Sequence, residues 1–509
     1  MTGEPLYLTT PIYYVNAEPH LGHTYTTVVA DTLARFWRAR GRETFVVTGT
    51  DEHGDKIAQA AAKASVSPKA YADRVSALFR STWEATGLTP GYFVRTTDPG
   101  HVAFVQKVLA AIHARGDIYF DRYRGLYCFG CERFYQEREL VNGLCPDHKQ
   151  APTEIAEENY FFRMGRYKER LVRLLEDEPD RITPEGYRRE VLAMLREPIG
   201  DLCISRPKSR LDWGIDLPFD ARYVTYVWFD ALLSYVSALE HVGRLDLWPT
   251  AHHLIAKDIL KPHAIFWPTM LMAAELPLYR RLCVHGYWQM DRDKMSKSLG
   301  NVVRPLEMQA RYGMDAFRYY LLREMAFGQD ADFSEAALIA RLNADLANGL
   351  GNLASRVLAM QQRYFAGVVQ PAAPTPADLA LRAAFDAARR DLDAQVADFA
   401  FHRGLEALWR ALDHANKYVV ETAPFTLAKD PGGRPRAGAV LHELCEALRV
   451  TAQLVEPFLP ETAARLARLL GLPADVLGRL DLPWGDAFPA GHRTAAPEAL
   501  FPRVEVPGA

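Results

Sequence analysis

The fold is decided by the stretch ETFVVTGTDEHG, residues 43–54, in which an apolar run ends in polar residues beside a glycine. The earlier stretch LYLTT, residues 6–10, has the same character. Such runs are typical of parallel strands buried on both faces, whose carboxyl ends carry functional side chains. Between them, apolar residues recur at helical spacing from Val28 to Trp37, and Gly41 follows as a stop signal. The order strand, helix, strand predicts a βαβ unit and therefore a doubly wound, Rossmann-like α/β domain.

Outside this unit, the residue composition changes along the chain. At 509 residues it is too long for a single hydrophobic core, so several domains are expected. A cysteine-rich piece interrupts the strand–helix alternation, and later Ala, Leu and Arg dominate between Pro- and Gly-rich breaks. We predict a catalytic domain split by a connective insertion and followed by an all-α helical bundle. The expected bounds are 1–117 and 223–332 for the two catalytic halves, 118–222 for the insertion, 333–485 for the bundle and 486–509 for a C-terminal tail.

The composition is that of an ordinary globular protein, with 49% hydrophobic and 24% charged residues and a net charge of −3. No apolar run approaches the roughly eighteen residues that suggest a membrane span. The first residues, MTGEPLYLTTP, lack the basic start and apolar core of a signal peptide, so we expect a cytoplasmic protein. The charge balance leaves a nucleic-acid partner open, because only a local basic groove is needed.

The stretch NAEPHLGH, residues 16–23, places two histidines where the first strand gives way to the helix. The first turn of a helix offers unpaired N–H groups to an anion. His20 and His23 lie about one turn apart, so both can face one phosphate chain. Gly22 has no side chain, so an adenine ring can lie against the backbone. The alternative is a pair of surface histidines at a helix start.

A second phosphate motif is DKMSKSLGN, residues 293–301. Lys294 and Lys297 lie on a loop of small residues, where mobile ammonium groups can close on phosphates and offset charge on a leaving pyrophosphate. A single loop of this kind is usually solvated surface. Together with His20, Gly22 and His23, called here the histidine corner, it favours a site for a nucleoside triphosphate.

Four potential metal ligands have the spacing Cys128-x2-Cys131-x13-Cys145-x2-His148. Two short knuckles with these side chains suit tetrahedral Zn²⁺ without an open position, so we predict one structural zinc ion per chain. The alternative is a set of reduced side chains without metal.

The two phosphate motifs resemble the HIGH and KMSKS motifs of class I aminoacyl-tRNA synthetases. Longer stretches resemble the methionyl-tRNA synthetase family, from about residue 6 to about residue 430. They are TTPIYYVNAEPHLGHTYTTVVAD, GTDEHG, YVWFDALLSY, KDILKPHAIFWP and KMSKSLGN. The resemblance implies that methionine is activated by ATP with Mg²⁺ to methionyl-adenylate and pyrophosphate, and is then transferred to the 3′ end of tRNA(Met), initiator tRNA included.

Site residues follow from the same resemblance. The implied catalytic groups are His20, His23, Lys294 and Lys297, and the implied ATP-binding residues are His20, Gly22, His23, Asp258 and Lys297. Ala256 stands where the family usually has glycine, two residues before Asp258. In the methionine pocket, Asp51 would hold the α-ammonium group, the Ile12 N–H and the Tyr235 hydroxyl would lie near the thioether sulfur, and Tyr14, Trp228, Ala231, Ile259 and His263 would line the slot. Without the resemblance, Trp228 and Tyr235 are interpreted as core residues.

In the helical part, the resemblance implies that Asn352 and Arg356 contact anticodon bases and that Phe425, where the family has tryptophan, stacks on one. The alternative is that Asn352 and Arg356 have only a structural role and join helices through hydrogen bonds. The family's appended C-terminal dimerisation domain has no counterpart, so we expect a monomer.

Two other functions are compatible with parts of the sequence. Another class I synthetase would share both phosphate motifs, but those for Ile, Val and Leu carry a long editing insertion, and a cysteine enzyme needs zinc at the substrate thiol. A non-catalytic RNA-binding protein built on a synthetase remnant would be marked by loss of His20, His23, Lys294 or Lys297, all of which are present.

Overall fold

The computed structural model of the chain describes residues 3–128, 133–135, 137–146, 149–290, 293–294, 302–371, 373–489 and 491–505. The chain forms two compact units. The first, called here the sheet unit, comprises Glu4–Ala30 and Thr44–His285. The second, called here the helical unit, comprises Met1–Gly3, Asp31–Glu43 and Gly286–Ala509.

The strands are β1 (Leu6–Tyr14), β2 (Thr44–Asp51), β3 (Tyr92–Arg95), β4 (Ile118–Cys128), β5 (Arg133–Tyr135), β6 (Thr153–Phe162), β7 (Ile182–Thr183), β8 (Leu202–Cys203), β9 (Ser205–Pro207), β10 (Asp216–Leu217), β11 (Asp220–Thr225), β12 (Ala251–Ala256), β13 (Arg281–His285), β14 (Trp288–Met290), β15 (Asp293–Lys294) and β16 (Ala331–Asp332).

The helices are α1 (Leu21–Ala39), α2 (Asp55–Lys63), α3 (Pro68–Ala85), α4 (Pro99–Ala114), α5 (Lys168–Asp177), α6 (Glu185–Arg196), α7 (Val227–Ala231), α8 (Ser234–His241), α9 (Trp267–Ala273), α10 (Pro305–Tyr312), α11 (Met314–Glu324), α12 (Glu335–Arg341), α13 (Asn352–Phe365), α14 (Pro376–Ala397), α15 (Phe401–Thr422), α16 (Pro424–Leu427), α17 (Arg434–Val455) and α18 (Pro460–Leu469). Two further segments, Pro262–Phe266 and Leu342–Gly351, are π-helical.

The sheet unit is built on a parallel sheet whose described strands have the order β3-β2-β1-β12-β13-β7. Strand β1 pairs in parallel with β2 on one side and with β12 on the other. The strand order reverses between these two neighbours, and ligands of doubly wound folds bind at the carboxyl ends of strands beside such a reversal. The predicted doubly wound domain is therefore confirmed, and the ends of β1, β2 and β12 mark the place to look for a site.

Burial along β1 explains why this sequence forms a central strand. Residues 6–10 are all buried, as expected for a strand covered by helices on both faces. Trp267 and Leu271 of α9 lie in the same core, and the Tyr7 hydroxyl donates to the Tyr235 carbonyl at 2.8 Å. Each buried aromatic side chain of this kind contributes about 1.5–3 kcal/mol.

The stretch after β3 and α4 adds small antiparallel sheets. Strands β5, β4, β6 and β8 form one described sheet, in which Ile118 lies opposite Phe162. The strand β11 (Asp220–Thr225) is followed by helix α7 but does not join the parallel sheet. It pairs antiparallel with β9 and β10, and its exposed residues Ala221 and Arg222 suit an open sheet rather than a strand covered on both faces.

In the helical unit, α14 lies against α15, and α17 packs on α14, α16 and α18. Helix α17 is buried on nearly all sides, as expected for the central helix of a bundle. A buried ion pair joins Arg318 of α11 to Asp31 at 2.6 Å. These observations confirm the predicted all-α part. No helix in the described ranges is long and apolar enough to cross a membrane.

Candidate active site and RNA-binding residues

The histidine corner lies at the start of α1, which begins at Leu21. The Gly22 N–H donates to Nδ1 of His20 at 3.1 Å, and the His20 N–H donates to Nδ1 of His23 at 3.3 Å. The two ring centroids are 3.9 Å apart. Because Nδ1 of each ring accepts a hydrogen bond, a neutral ring carries its proton on Nε2. The corner can therefore offer two imidazole N–H donors to oxygen atoms of one anion.

Local packing fixes this corner. A Cβ atom at Gly22 would lie 3.1 Å from Cε1 of His20, closer than an ordinary contact, so glycine lets the His20 ring fold back over the backbone. The Tyr13 hydroxyl donates to the His23 carbonyl at 3.0 Å, and the two rings lie 4.8 Å apart. The end of β1 thus holds the start of α1 in place.

Asp258 is exposed in the turn Lys257–Ile259, which directly follows β12. Because β1 and β12 run in parallel, the turn that carries Asp258 and the histidine corner lie at the same edge of the parallel sheet. Lys294 ends strand β15, where its backbone lies opposite Gln289. Residues 295–301, which include Lys297, lie outside the described residues.

The end of β2 brings Asp51 next to the end of β1. Asp51 lies opposite Tyr14 in the β1–β2 register and is 8% exposed. The Val15 N–H donates to the Asp51 carbonyl at 3.2 Å. A carboxylate at the carboxyl end of a buried strand can receive a cationic group of a small ligand.

In the predicted methionine pocket, the ring of His263 lies near two aromatic rings. The His263 ring centroid lies 5.8 Å from Tyr235 and 6.1 Å from Trp228. Ile12 and Ile259 pack against the same core, and Ala231 is buried at the end of α7. Most of the predicted pocket residues therefore come together in the sheet unit.

Hydrogen bonds define the protonation of this group. Nδ1 of His263 lies 2.9 Å from the Ile259 carbonyl, which can only accept, and Nε2 lies 2.8 Å from the Tyr235 hydroxyl. Burial lowers the pKa of His263 to about 4, so the ring is neutral at physiological pH. Nε2 then accepts a hydrogen bond from the Tyr235 hydroxyl, and burial raises the pKa of Tyr235, which keeps the phenol protonated.

Sequence reasoning missed a polar cluster beside Asp51. Glu52 is fully buried and receives two hydrogen bonds from Arg95, at 2.6 and 2.8 Å. Thr97 donates to the same carboxylate at 2.6 Å, and Trp213 donates to the Glu52 carbonyl at 2.6 Å. The sequence does contain a signal for this cluster, because a charged residue at the end of a buried strand requires hydrogen-bonding partners. Those partners lie far along the chain and could not be identified from spacing.

For the predicted zinc ligands, the described part of the chain contains Cys128 and Cys145. Both thiols are buried in one small cluster with Tyr135, and the Cys145 thiol lies 3.4 Å from the Tyr135 hydroxyl. Cys131 and His148 lie outside the described residues. Within the described ranges, no three His, Cys, Asp or Glu side chains form a metal-binding group.

In the helical unit, Asn352 begins α13 and is exposed, and Arg356 follows one turn later, half-buried. Among the described residues, Arg356 has no hydrogen-bond or ion-pair partner. Phe425, in α16, is 39% exposed. An exposed ring and an arginine free of partners are the side chains that splayed RNA bases require.

The C-terminal tail lies next to the start of α13. Asn343 donates to the Val504 carbonyl at 2.8 Å and accepts from the Val504 N–H at 3.0 Å. A shallow cavity of about 170 Å³ is lined by Asn352, Arg503 and neighbouring residues.

A doubly wound sheet with a His-Leu-Gly-His corner after its first strand, followed in sequence by Lys-Met-Ser-Lys-Ser and a helical bundle, defines the class I aminoacyl-tRNA synthetases. Comparison with known proteins gives the specificity. Residues 6–154 and 148–358 match the family described as tRNA synthetases class I (M), and residues 368–506 match the anticodon binding domain of methionyl tRNA ligase.

Relatives agree over the whole chain. The methionine–tRNA ligase of Deinococcus radiodurans is 45% identical over 512 residues, which cover 98% of this chain and 74% of the relative. That of Mesorhizobium japonicum is 42% identical over 520 residues and is covered completely, as is this chain. The structure of the Mycobacterium tuberculosis methionyl-tRNA synthetase in complex with methionyl-adenylate is similar at a TM-score of 0.94 and 38% identity, covering 99% of this chain and 100% of that one.

The chain belongs to the methionyl-tRNA synthetase family. Its activity is methionine–tRNA ligation: methionine is activated with ATP to methionyl-adenylate and pyrophosphate and is then transferred to the 3′ end of tRNA. The enzyme uses ATP with Mg²⁺, as class I synthetases do, and binds tRNA through its anticodon-binding domain.

Proposed function

We propose that the activation step takes place at the histidine corner. The carboxylate oxygen of methionine attacks the α-phosphorus of ATP while the bond to the pyrophosphate oxygen breaks. The Nε2–H groups of His20 and His23 donate to phosphate oxygens as charge builds up there. The observation that carries this assignment is that Nδ1 of each ring accepts a hydrogen bond from a backbone N–H, which leaves the proton of a neutral ring on Nε2. No protein nucleophile is required, so catalysis consists of positioning and charge stabilisation.

Lys297 and Lys294 are assigned to the departing pyrophosphate. Their ammonium groups would offset its negative charge as the bond to the α-phosphorus breaks. Asp258, at the end of β12, would hold the ribose of ATP, and Gly22 would allow adenine to approach the backbone. Mg²⁺ enters with ATP and reduces the charge of the phosphate chain.

Methionine is assigned to the slot at the ends of β1 and β2. The Asp51 carboxylate would bind its α-ammonium group. Trp228, Ala231, Ile259, His263 and Tyr14 would line its side chain, with the Ile12 N–H and the Tyr235 hydroxyl at the sulfur. Support comes from the close contacts of Tyr235, His263 and Trp228 and from the neutral, fixed ring of His263. A flexible apolar thioether suits such aromatic walls.

A zinc ion is assigned to Cys128, Cys131, Cys145 and His148. The two described thiols fit this role, since they are buried in one cluster although they are far apart in sequence. Zinc bound there would hold the two knuckles together and would take no part in the reaction.

The anticodon of tRNA(Met), including initiator tRNA, is assigned to Asn352, Arg356 and Phe425. We also propose that the enzyme is a cytoplasmic monomer. The division into catalytic halves 1–117 and 223–332, insertion 118–222, bundle 333–485 and tail 486–509 remains part of this proposal.

The assignments are tested by separating the two substrates. His20→Ala, His23→Ala and Lys297→Ala should slow adenylate formation at least about 100-fold while methionine binding changes little, because these groups act mostly in the transition state. Asp51→Asn should instead raise the methionine Kd and leave ATP binding unchanged. Equilibrium methionine binding and single-turnover pyrophosphate release measure both quantities. Histidine variants that lose methionine affinity but keep their turnover would contradict the assignment.

A further inference from the structure

A buried carboxylate lies behind the methionine slot. Asp230 is 1% exposed and sits in α7 between Trp228 and Ala231. Its Oδ2 atom lies 2.7 Å from Nδ1 of His53, and its Oδ1 atom lies 2.7 Å from Nε2 of His101. Each carboxylate oxygen therefore has its own imidazole partner.

These partners belong to different elements of the sheet unit. His53 follows Asp51 by two residues at the end of β2. His101 lies in α4, and its Nδ1 atom is 2.7 Å from the Ser237 hydroxyl in α8. The chain His53–Asp230–His101–Ser237 thus connects the end of β2 with α7, α4 and α8.

The carboxylate of Asp230 is held in its charged form. Burial acts to raise its pKa, but the two histidines outweigh this effect and the pKa of Asp230 is lowered. A buried charged carboxylate with its polar partners is rarely a better source of stability than apolar residues of the same shape. The contribution of Asp230 and its two histidine partners is instead geometric, since each hydrogen bond fixes a distance and a direction.

We propose that Asp230 is a positioning residue for methionine. With His53 and His101 as its partners, it sets the spacing between Asp51, which receives the α-ammonium group, and the α7 wall formed by Trp228 and Ala231. This inference rests on the proposed methionine slot and extends it to residues that do not touch the ligand. The spacing decides whether the ammonium group and the thioether of one methionine can be bound at the same time.

Substitution of Asp230 should impair the use of methionine and leave the use of ATP unchanged. Asp230→Asn replaces one acceptor oxygen by an N–H group, so one histidine contact is lost or reversed. In ATP–pyrophosphate exchange, KM for methionine should rise at least tenfold, since displacements of about 1 Å at a site can change rates about 100-fold. KM for ATP and kcat should stay within about threefold of the parent enzyme.

His53 provides a test that does not depend on the Asp230 variant being folded. His53→Asn can place an amide N–H near the position of Nδ1, whereas His53→Ala cannot. KM for methionine should rise in His53→Ala and return close to the parent value in His53→Asn. An equal rise in both variants would overturn the proposal.

Asp31→Asn is the matched control for stability. It removes a carboxylate from the buried ion pair with Arg318, 2.6 Å long, so it should lower the thermal midpoint and leave KM for methionine unchanged. If Asp230→Asn behaves in the same way, Asp230 is only structural and the proposal is overturned. A parallel rise of KM for both substrates would overturn it as well.

Asp51→Asn separates this inference from the slot on which it rests. If Asp51→Asn raises KM for methionine but Asp230→Asn does not, the inference alone fails. If Asp51→Asn leaves KM for methionine unchanged, the slot itself is wrongly assigned and the inference falls with it.

Discussion

The Tyr235 hydroxyl donates a hydrogen bond of 2.8 Å to Nε2 of His263, and this hydrogen bond requires an uncharged imidazole. An imidazolium ring carries protons on both nitrogen atoms and could not accept it. The pair therefore links the order of the proposed methionine slot to pH.

Acid should weaken the sheet unit through His263. Its pKa is lowered to about 4 by burial, while an unfolded histidine titrates near ~6.5, so the unfolded chain binds more protons between these values. The free energy of unfolding then falls as pH decreases, by about 2 kcal/mol from this residue between about pH 7 and about pH 5. Urea unfolding across this range should show a shallower pH dependence in His263→Gln than in the parent.

Ile265→Val, at a buried side chain that carries no ionisable group, provides the control for this measurement. It should keep the parent pH dependence. Some dependence should remain in His263→Gln, since burial also lowers the pKa of His253. An unchanged slope in His263→Gln would show that the ring does not titrate as proposed.

Gly22→Ala should impair activation without unfolding the protein. The added Cβ would lie 3.1 Å from Cε1 of His20 and push the ring out of its place. Alanine is a better helix former than glycine by about 1 kcal/mol, so α1 itself should not suffer. We expect ATP–pyrophosphate exchange to fall at least about tenfold at an unchanged thermal midpoint.

Gly186→Ala is the matched control, because Gly186 lies at the corresponding early position of α6 and a Cβ there meets open space. It should leave exchange unaltered. Normal exchange in Gly22→Ala would mean that the His20 ring tolerates displacement.

Arg356→Gln should separate the two steps of the reaction. Arg356 has no partner among the described residues, so its removal leaves no buried charge uncompensated. Exchange should be intact, while tRNA charging should fall about 10- to 100-fold, as expected for the loss of a base contact worth ~1–3 kcal/mol. Arg341→Gln, which removes an ion pair with Glu324 at 3.0 Å, is the control for a structural arginine. Joint loss of exchange, charging and stability in Arg356→Gln would assign Arg356 to packing instead.

Phe425→Trp should strengthen tRNA binding, and Phe425→Ala should weaken it. The ring is 39% exposed, and an indole offers a larger face for stacking than a phenyl group. Stacking on one base contributes ~1–3 kcal/mol, so the alanine variant should lose about tenfold or more in tRNA affinity. Val420→Ala, at another exposed apolar side chain of the helical unit, should have no effect. Weaker binding by Phe425→Trp would place the anticodon elsewhere.

Removal of zinc should unfold the insertion locally. We expect about one zinc ion per chain by elemental analysis and its loss in Cys128→Ser and Cys145→Ser, with faster proteolysis between the knuckles. Cys203→Ser is the control, since this buried thiol, whose pKa is raised by burial, lies outside the knuckles. A metal-free enzyme that resists proteolysis and remains fully active would exclude a structural zinc site.

The sequence predicts the parallel sheet well because burial of the strands leaves short apolar runs at 6–8 and 45–47, each ending in polar residues. It does not decide which sheet β11 joins, since a short strand before an apolar helix has the same pattern whether it joins a parallel or an antiparallel sheet. It fails for β7, whose two residues pair with β13 at the sheet edge and are too few to show any periodicity.

For the site, motif spacing locates the histidine corner, because its members are neighbours in sequence. Asp230 and His101 are different, since their contact joins residues 129 positions apart and each one alone has the pattern of an ordinary helix residue. Only the three-dimensional structure brings such a pair together.

The double hydrogen bond between Asn343 and Val504 has a practical consequence for RNA-binding assays. It fixes the tail where Arg503 and Asn352 line one small cavity, so a bulky label attached to the exposed residue Glu505 would lie beside the proposed anticodon face. Immobilisation through such a label would therefore depress apparent tRNA affinity for steric reasons.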